Sequence, residues 1–198
     1  MGNLRVALVL GILLSATPAS AAIITIDQLP AGFAGALATP GRQIIGGEPS
    51  INFSIATDVF ALDSAEFGIN QVLFANSLTA NLPATGVNMI VVQDAGMLAG
   101  TAANLIAAQL TTPGAGFFVY FNTNLQLARL VYSADLDDPS ADLAVLARLQ
   151  NISGAAGFAQ MPSFTAANFA VTAPEPATLA LFGTALAGAI VRRRRVRN

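Results

Sequence analysis

The residues of this sequence with the clearest chemical potential are the aspartates of the stretch SADLDDPSAD. This stretch, the aspartate loop, contains four carboxylates at Asp135, Asp137, Asp138 and Asp142. Calcium takes about six to eight oxygen ligands, so closely spaced carboxylates in a loop indicate a candidate calcium site. The spacing departs from the D-x-[DN]-x-[DN]-G pattern, because Pro139 and Ser140 follow where ligands and a glycine are expected. The sequence therefore favours the alternative, a solvated turn in which Asp138 caps a helix that begins at Pro139.

The composition removes most catalytic mechanisms. The chain has no His, Cys, Lys or Trp, which excludes a Ser-His-Asp triad, an ordinary zinc site and thiol or Schiff-base nucleophiles. Glycoside hydrolysis needs only two carboxylates and survives this test. Candidate acids outside the aspartate loop are Glu48, Asp58, Asp63, Glu66 and Asp94. Only Tyr120 and Tyr132 carry a phenol, so aromatic groups for stacking a sugar are few, and we expect no enzymatic activity.

The first 21 residues have the pattern of a secretory signal peptide. A single positive charge at Arg5 precedes an apolar run from Val6 to Leu14, which is too short for a membrane-spanning helix of about 20 residues. Ala19 and Ala21 form the small-x-small site that a signal peptidase recognises. We therefore expect cleavage before Ala22 and export through the inner membrane.

A second membrane-directed segment lies at the C-terminus. The triplet Pro174-Glu175-Pro176 precedes an uncharged apolar segment over residues 177–191, which would form a helix of roughly 22 Å. The prolines disfavour helix before them and leave Glu175 extended and accessible. A block of arginines closes the segment at Arg192, Arg193, Arg194 and Arg195. Arginines at this boundary predict a transmembrane helix that stops translocation with its basic end in the cytoplasm.

This order of triplet, apolar helix and arginines resembles the PEP-CTERM sorting signal of Gram-negative bacteria. The resemblance implies recognition by an exosortase, a membrane-embedded transpeptidase-like protease that cleaves near the triplet and releases or re-attaches the outer part. Proteins with this signal are linked with exopolysaccharide and biofilm matrix. The resemblance covers residues 174–198 and leaves the activity of the remaining chain open.

Charge is distributed unevenly along the chain. Five of the nine arginines lie in the last seven positions, and only Arg42, Arg129 and Arg148 lie between residues 22 and 173. That central part carries ten acidic residues against these three arginines, a net charge of −7. A body of this sign repels phosphate backbones, so we expect no binding of nucleic acid.

Short segments with strand character recur between turn signals in residues 22–173. They are AAIITIDQL, INFSIAT, NMIVVQD, GFFVYF, LQLARLVY and FTAANFAVT. In INFSIAT, Ile51, Phe53 and Ile55 share one face. The residues Asn122-Thr123-Asn124 are expected to join the strands at 117–121 and 125–132 in a hairpin.

Helices are the minority. AGTAANLIAAQL predicts a helix from about Ala102 to Leu110. The stretch after Asp138 has a helix start signal, although Leu143 and Val145 also fit a strand alternation, and we expect a helix there. The sequence thus predicts one mainly β domain, sandwich-like or jelly-roll-like, with one or two helices.

These observations predict an exported, exosortase-sorted surface or extracellular-matrix protein with a structural or adhesive role near exopolysaccharide. It would be anchored transiently in the membrane and then reach the cell surface or the medium. The alternative is a calcium- or glycan-binding module, and a small carbohydrate-active enzyme is less favoured. We expect no cofactor other than this candidate calcium ion.

Overall fold

The computed structural model describes residues 20–33 and 42–173. Within these ranges the strands are β1 Ile23–Ile26, β2 Ile44–Ile45, β3 Ser50–Ile51, β4 Val59–Asp63, β5 Phe74–Ser77, β6 Met89–Val92, β7 Gly116–Asn122, β8 Leu127–Ser133, β9 Leu143–Ser153 and β10 Phe169–Thr172. The helices are α1 Ser64–Phe67, α2 Ala99–Ala107 and α3 Gly154–Phe158, with 3₁₀ turns at Thr79–Asn81, Met161–Ser163 and Ala166–Asn168.

The larger sheet has the strand order β2-β9-β8-β7-β6-β5, and β3 also pairs with β9. Strands β5, β6 and β7 are parallel, whereas β7, β8 and β9 are antiparallel. Every residue of β6 and β7 is buried, because both faces of the sheet are covered. Continuous apolar runs are typical of strands that are covered on both faces.

One face of the larger sheet packs against a smaller parallel sheet of order β1-β4-β10. Phenylalanines dominate this interface: Phe53 stacks on Phe60 with ring centroids 4.4 Å apart, and Phe60 also stacks on Phe169. Phe117 and Leu130 contribute to the same core cluster from the larger sheet. The two sheets therefore enclose the main hydrophobic core.

Helix α2 covers the other face of the larger sheet. Its small residues Ala102 and Ala103, together with Ile106, form a second core cluster with Phe118 and Val145. Alanine side chains let the helix lie close to the sheet, and all three of these α2 residues are buried. The molecule is thus built as three layers: the smaller sheet, the larger sheet and one helix.

Most of the predicted elements are confirmed. Strands form in five predicted segments, at β1, β6, β7, β8 and β10, and the fold is mainly β. The hairpin of β7 and β8 is antiparallel, and its turn ends at Gln126 with φ 53°. The predicted helix forms as α2, three residues nearer the N-terminus than expected. In the segment INFSIAT only Ile51 lies in a strand, as the second residue of β3, although Phe53 is buried as expected.

The predicted helix after Asp138 is wrong. Asp138 accepts hydrogen bonds from the backbone N–H and the hydroxyl of Ser140, which closes a turn instead of starting a helix. The residues that follow form β9, the longest strand, which pairs with β8 on one side and with β2 and β3 on the other. Leu143 and Val145 contact the α2 cluster and Leu146 contacts the core between the sheets, so alternation on two buried faces outweighed the cap signal.

The jelly-roll part of the fold prediction is also wrong. A jelly roll is built from antiparallel strands, whereas the smaller sheet is entirely parallel and the larger sheet is mixed. Two facing sheets do occur, as in a sandwich. The strand connections, including the one through α2 between β6 and β7, are what allow the parallel pairs.

Among the described residues, no helix is long and apolar enough to cross a membrane. The predicted transmembrane helix at 177–191 and residues 1–19 of the predicted signal peptide lie outside the described residues. The same holds for the triplet at 174–176 and the arginines at 192–195.

Candidate functional site

The C-terminal segment leaves the fold from the edge of the smaller sheet. Strand β10 pairs in parallel with β4 and ends at Thr172, two residues before Pro174. The hydroxyl of Thr172 donates a hydrogen bond to the carbonyl oxygen of Leu62 at 3.3 Å. The predicted sorting residues therefore follow directly on a strand that is fixed by pairing with β4.

Three of the four aspartates of the aspartate loop accept hydrogen bonds, each from a different part of the chain. Asp135 accepts a hydrogen bond from the backbone N–H of Gly114 at 2.8 Å, and the buried Asp142 accepts one from Gln43 at 2.8 Å. Hydrogen bonds from Ser140 lower the pKa of the Asp138 carboxyl. Burial, with Asp135 close by, raises the pKa of Asp137. The predicted turn is thus confirmed, without the helix.

This arrangement does not support the calcium hypothesis. In the ranges 20–33 and 42–173, no group of three or more acidic side chains is placed to hold a metal ion. Arg42 reaches into the loop instead and donates hydrogen bonds to the carbonyl oxygens of Ala141, at 2.8 Å, and Asp138, at 3.4 Å. A guanidinium next to the carboxylates disfavours a second cation. Calcium binding stays a prediction that the geometry does not favour.

Three of the candidate acids outside this loop also accept hydrogen bonds within the fold. Asp63 caps α1 by accepting from the backbone N–H groups of Ala65 and Glu66. Asp94 accepts from both the backbone and the hydroxyl of Thr79. Backbone hydrogen bonds from Ser54 and Ala22 lower the pKa of Asp58. A general acid needs a raised pKa, whereas the pKa of Asp58 is lowered and the carboxylates of Asp63 and Asp94 are occupied by hydrogen bonds.

The strongest electrostatic feature is the Glu48 cluster, which consists of Glu48, Arg129 and Arg148. The two arginines lie opposite each other in register on β8 and β9. Glu48 Oε1 accepts hydrogen bonds from Arg148 Nε at 2.7 Å and from Arg129 Nη2. Arg129 Nη1 also donates to the hydroxyl of the buried Tyr120 at 3.3 Å. The cluster joins β7, β8 and β9 to the loop between β2 and β3.

The arginines determine the charge state of Glu48. Its side chain is completely buried, and burial by itself would raise the pKa of this carboxyl. Hydrogen bonds from Arg148, from Arg129 and from the backbone outweigh burial and lower the pKa to about 2. Glu48 is therefore ionised at every physiological pH, which suits a structural ion pair and does not suit a proton donor.

The sequence treated Glu48 as an isolated candidate acid and did not predict this cluster. The sequence feature that could have indicated the cluster is the small number of arginines, since only three occur between residues 22 and 173. A buried arginine needs an acidic partner, and Glu48 was one of the few candidates. Glu48 is separated from Arg129 by 81 positions and from Arg148 by 100, so only the fold brings them together.

A cleft of ≈ 280 Å³ lies where the chain enters β5, β6 and β7. Its polar lining consists of Asn70, Gln71, Thr85, Asn88 and Thr112, and none of its lining residues is ionisable. The Asn88 side chain is already used, since it accepts from the N–H of Leu73 and donates to the carbonyl of Gln71. The cleft offers neutral amides and hydroxyls, and no acid or base.

Comparison with known proteins identifies the C-terminal segment. Residues 172–195 match the family model of the PEP-CTERM protein-sorting motif. No curated protein and no solved structure has significant similarity to the chain. The match begins at the last residue of β10 and includes the Pro-Glu-Pro triplet and all of Arg192–Arg195. The chain therefore carries a PEP-CTERM protein-sorting motif, which supports its assignment as an exosortase substrate.

Proposed function

We propose that residues 22–173 are the working part of a cell-surface or extracellular-matrix protein with a structural or adhesive role near exopolysaccharide. The PEP-CTERM motif supports export and exosortase processing. In this proposal the signal peptide at 1–21 directs the chain across the inner membrane and is removed. The helix at 177–191 and its arginines then hold the chain until the exosortase cleaves near Pro174-Glu175-Pro176.

One observation carries the structural part of the proposal: the carboxylates of the described residues are used to hold the chain together. Eight of the ten acidic side chains accept hydrogen bonds from within the fold. They are Glu48, Asp58, Asp63, Glu66, Asp94, Asp135, Asp138 and Asp142. Acid-base catalysis requires a proton donor and an acceptor that converge on a cleft. The cleft described above has no ionisable lining residue, and a second cleft of ≈ 270 Å³ has Glu48 as its one acidic lining residue. These facts support a non-enzymatic role.

The experiment compares the mature protein from its native host with the protein from a strain that lacks the exosortase. Mass spectrometry should find that both proteins start at Ala22. A C-terminus near the Pro-Glu-Pro triplet should be found only in the protein from the strain that has the exosortase. An intact VRRRRVRN peptide in the mature extracellular protein would contradict the sorting proposal. Release of reducing ends from host polysaccharide by the purified protein would contradict the non-enzymatic role.

Glycan binding is the second candidate, and the neutral cleft favours it. Exposed amides and hydroxyls at Gln71 and Thr112 could hydrogen-bond sugar hydroxyls without attracting charged ligands. A glycan array with the exported protein would separate the two roles, since binding to one sugar class indicates recognition. Loss of that binding in Gln71→Ala, with retention in the exposed Gln150→Ala control, would place it in the cleft.

A further inference from the structure

The N-terminal edge of the fold has a polar contact at the predicted signal cleavage point. The backbone N–H of Ala22, the first residue after this point, donates a hydrogen bond to Asp58 Oδ1 at 2.9 Å. The carbonyl of Ala22 accepts from Val59 at 3.0 Å, which starts the pairing of β1 with β4. Ser20, Ala21 and Ala22 are exposed. The Ala21–Ala22 peptide bond therefore lies at the surface, where the chain joins the smaller sheet.

Asp58 is a buried anion that is held in place without help from Ala22. Only 6% of the Asp58 surface is exposed. Its Oδ2 atom accepts a hydrogen bond from the backbone N–H of Ser54 at 2.8 Å. Oδ1 accepts from the hydroxyl of Thr57 at 3.0 Å, and the amide of Asn168 donates to the Asp58 carbonyl at 3.0 Å. These surrounding groups are all neutral, and among the described residues the arginines that form ion pairs do so only with Glu48.

A buried carboxylate that accepts only neutral hydrogen bonds is a favourable place for a cation. We propose that cleavage between Ala21 and Ala22 supplies this cation, because the released α-ammonium of Ala22 forms an ion pair with Asp58. In the hydrolysis, water adds a hydroxyl to the Ala21 carbonyl and a proton to the Ala22 nitrogen, which takes a second proton from solvent. The inference rests on the removal of the signal peptide at residues 1–21, which is part of the function proposed above.

The consequence is that the fold becomes more stable on maturation. The precursor already has the neutral hydrogen bond, so β1 can pair with β4 before cleavage and no rearrangement is needed. The ammonium converts this bond into a charge-assisted one, roughly twice as strong as a neutral bond. Because β1 is a four-residue edge strand that, among the described residues, pairs with β4 alone, the ion pair adds a fixed point at the start of this strand.

The absence of lysine makes the test unusually direct. The α-amino group is the only primary amine that the chain contains, so an amine-reactive acylating reagent reports on this group alone. The free α-amino group has a pKa of about 7.7–8.0, and an ion pair that raises this value by about one unit slows acylation near neutral pH about tenfold. We expect the mature protein from its host, with Ala22 verified as the N-terminus, to react about tenfold more slowly than Asp58→Asn.

A second variant keeps Asp58 and moves the charge. One serine inserted between Ala21 and Ala22 would shift the ammonium by about 3.8 Å along the chain while the amide of Ala22 remains. We expect this variant to react as fast as a free α-amino group and to unfold at a lower temperature than the mature protein. Equal acylation rates in all three proteins would overturn the ion pair and leave the sorting proposal intact, provided that the N-terminus is Ala22 in the mature protein and in Asp58→Asn and the inserted serine in the third protein. A mature protein that starts at a residue other than Ala22 would also overturn the inference, because the ammonium would then lie elsewhere. The comparison with the exosortase-deficient strain would still test the sorting proposal.

Discussion

At the scale of single residues, Glu48 links two strands of the larger sheet through its ion pairs. Its carboxylate is buried between Arg129 and Arg148, which approach it from two adjacent strands. Arg129 is largely buried, with 13% of its side chain exposed, whereas 40% of the Arg148 side chain is exposed. Removing the negative charge would leave Arg129 buried without a counterion, and this is more costly than losing a surface pair.

We therefore expect Glu48→Gln to lower the free energy of unfolding by about 3 kcal/mol. Urea denaturation at neutral pH measures this value. Glu66→Gln is the matched control, because Glu66 is exposed and, among the described residues, accepts a hydrogen bond only from the N–H of Leu29, which a glutamine oxygen can also do. The control should stay within about 0.5 kcal/mol of the parent. Similar losses in both variants would mean that the Glu48 cluster contributes no more than a surface pair.

The lowered pKa of Glu48 also predicts how stability changes in acid. Folding lowers the pKa of this carboxyl from 4.5 to about 2, so its contribution is present above pH 4.5 and is lost as the pH falls towards 2. Allowing for screening on the exposed Arg148 side, the loss is about 2 kcal/mol. Between these pH values the parent should lose more stability than Glu48→Gln, as followed by urea midpoints. Parallel pH curves for the two proteins would contradict the assignment.

At the scale of elements, the contact between β6 and β7 depends on a close approach at Gly116. A Cβ atom at this position would lie 2.5 Å from the carbonyl oxygen of Asn88 and 2.4 Å from Leu136 Cδ1. The same carbonyl of Asn88 accepts a hydrogen bond from Phe117 at 2.8 Å, so it cannot move without breaking the start of the strand pair. Glycine is required here for lack of space.

Gly116→Ala should consequently lower the free energy of unfolding by about 2–3 kcal/mol, because overpacking displaces backbone that is paired. Gly114→Ala, two positions earlier, is the control: a Cβ there meets nothing within 4 Å. We expect the control to be neutral or slightly stabilising, through reduced entropy of the unfolded chain. Thermal unfolding of both variants checks the difference, and a neutral Gly116→Ala would show that β6 and β7 can separate at little cost.

At the scale of the whole molecule, the two termini of the described body lie at opposite ends of the smaller sheet. Strands β1, β4 and β10 are parallel, so the chain enters at the start of β1 and leaves at the end of β10. The core between the sheets includes residues from both of these edge strands, such as Ile26 and Phe169. Cleavage near Ala22 therefore removes residues that precede the smaller sheet, and cleavage near the Pro-Glu-Pro triplet removes residues that follow it. The pairing of its strands is preserved in both cases.

Processing should also change the charge of the molecule. The segment 174–198 carries five arginines and one glutamate, so its removal takes the chain that begins at Ala22 from a net charge of −3 to −7. Isoelectric focusing should accordingly find the processed protein at a more acidic position than the protein from the exosortase-deficient strain. Identical positions would mean that the arginine block remains on the mature protein. The acidic form should also fail to bind DNA.

Features that depend on local order along the chain could be predicted from the sequence alone. The Pro-Glu-Pro triplet, the apolar segment and the arginines work as a linear signal, and the family match at 172–195 confirms that interpretation. The hairpin of β7 and β8 and the helix α2 were also predictable, because neighbouring residues supply their turn and their helical spacing. Short-range preferences were sufficient wherever no distant strand competed with them.

The contacts between segments that are distant in the sequence could not be predicted in this way and follow from the fold. Strand β9 carries a local helix start signal, but pairing with β8, β2 and β3 and burial on both faces made it a strand. Glu48 looked like a free acid until the fold placed two arginines beside it across gaps of 81 and 100 positions. Asp58 likewise acquired its contact with Ala22 across 36 positions. A linear pattern contains no information on which remote partner satisfies a buried charge, because that partner is set by strand register and sheet packing.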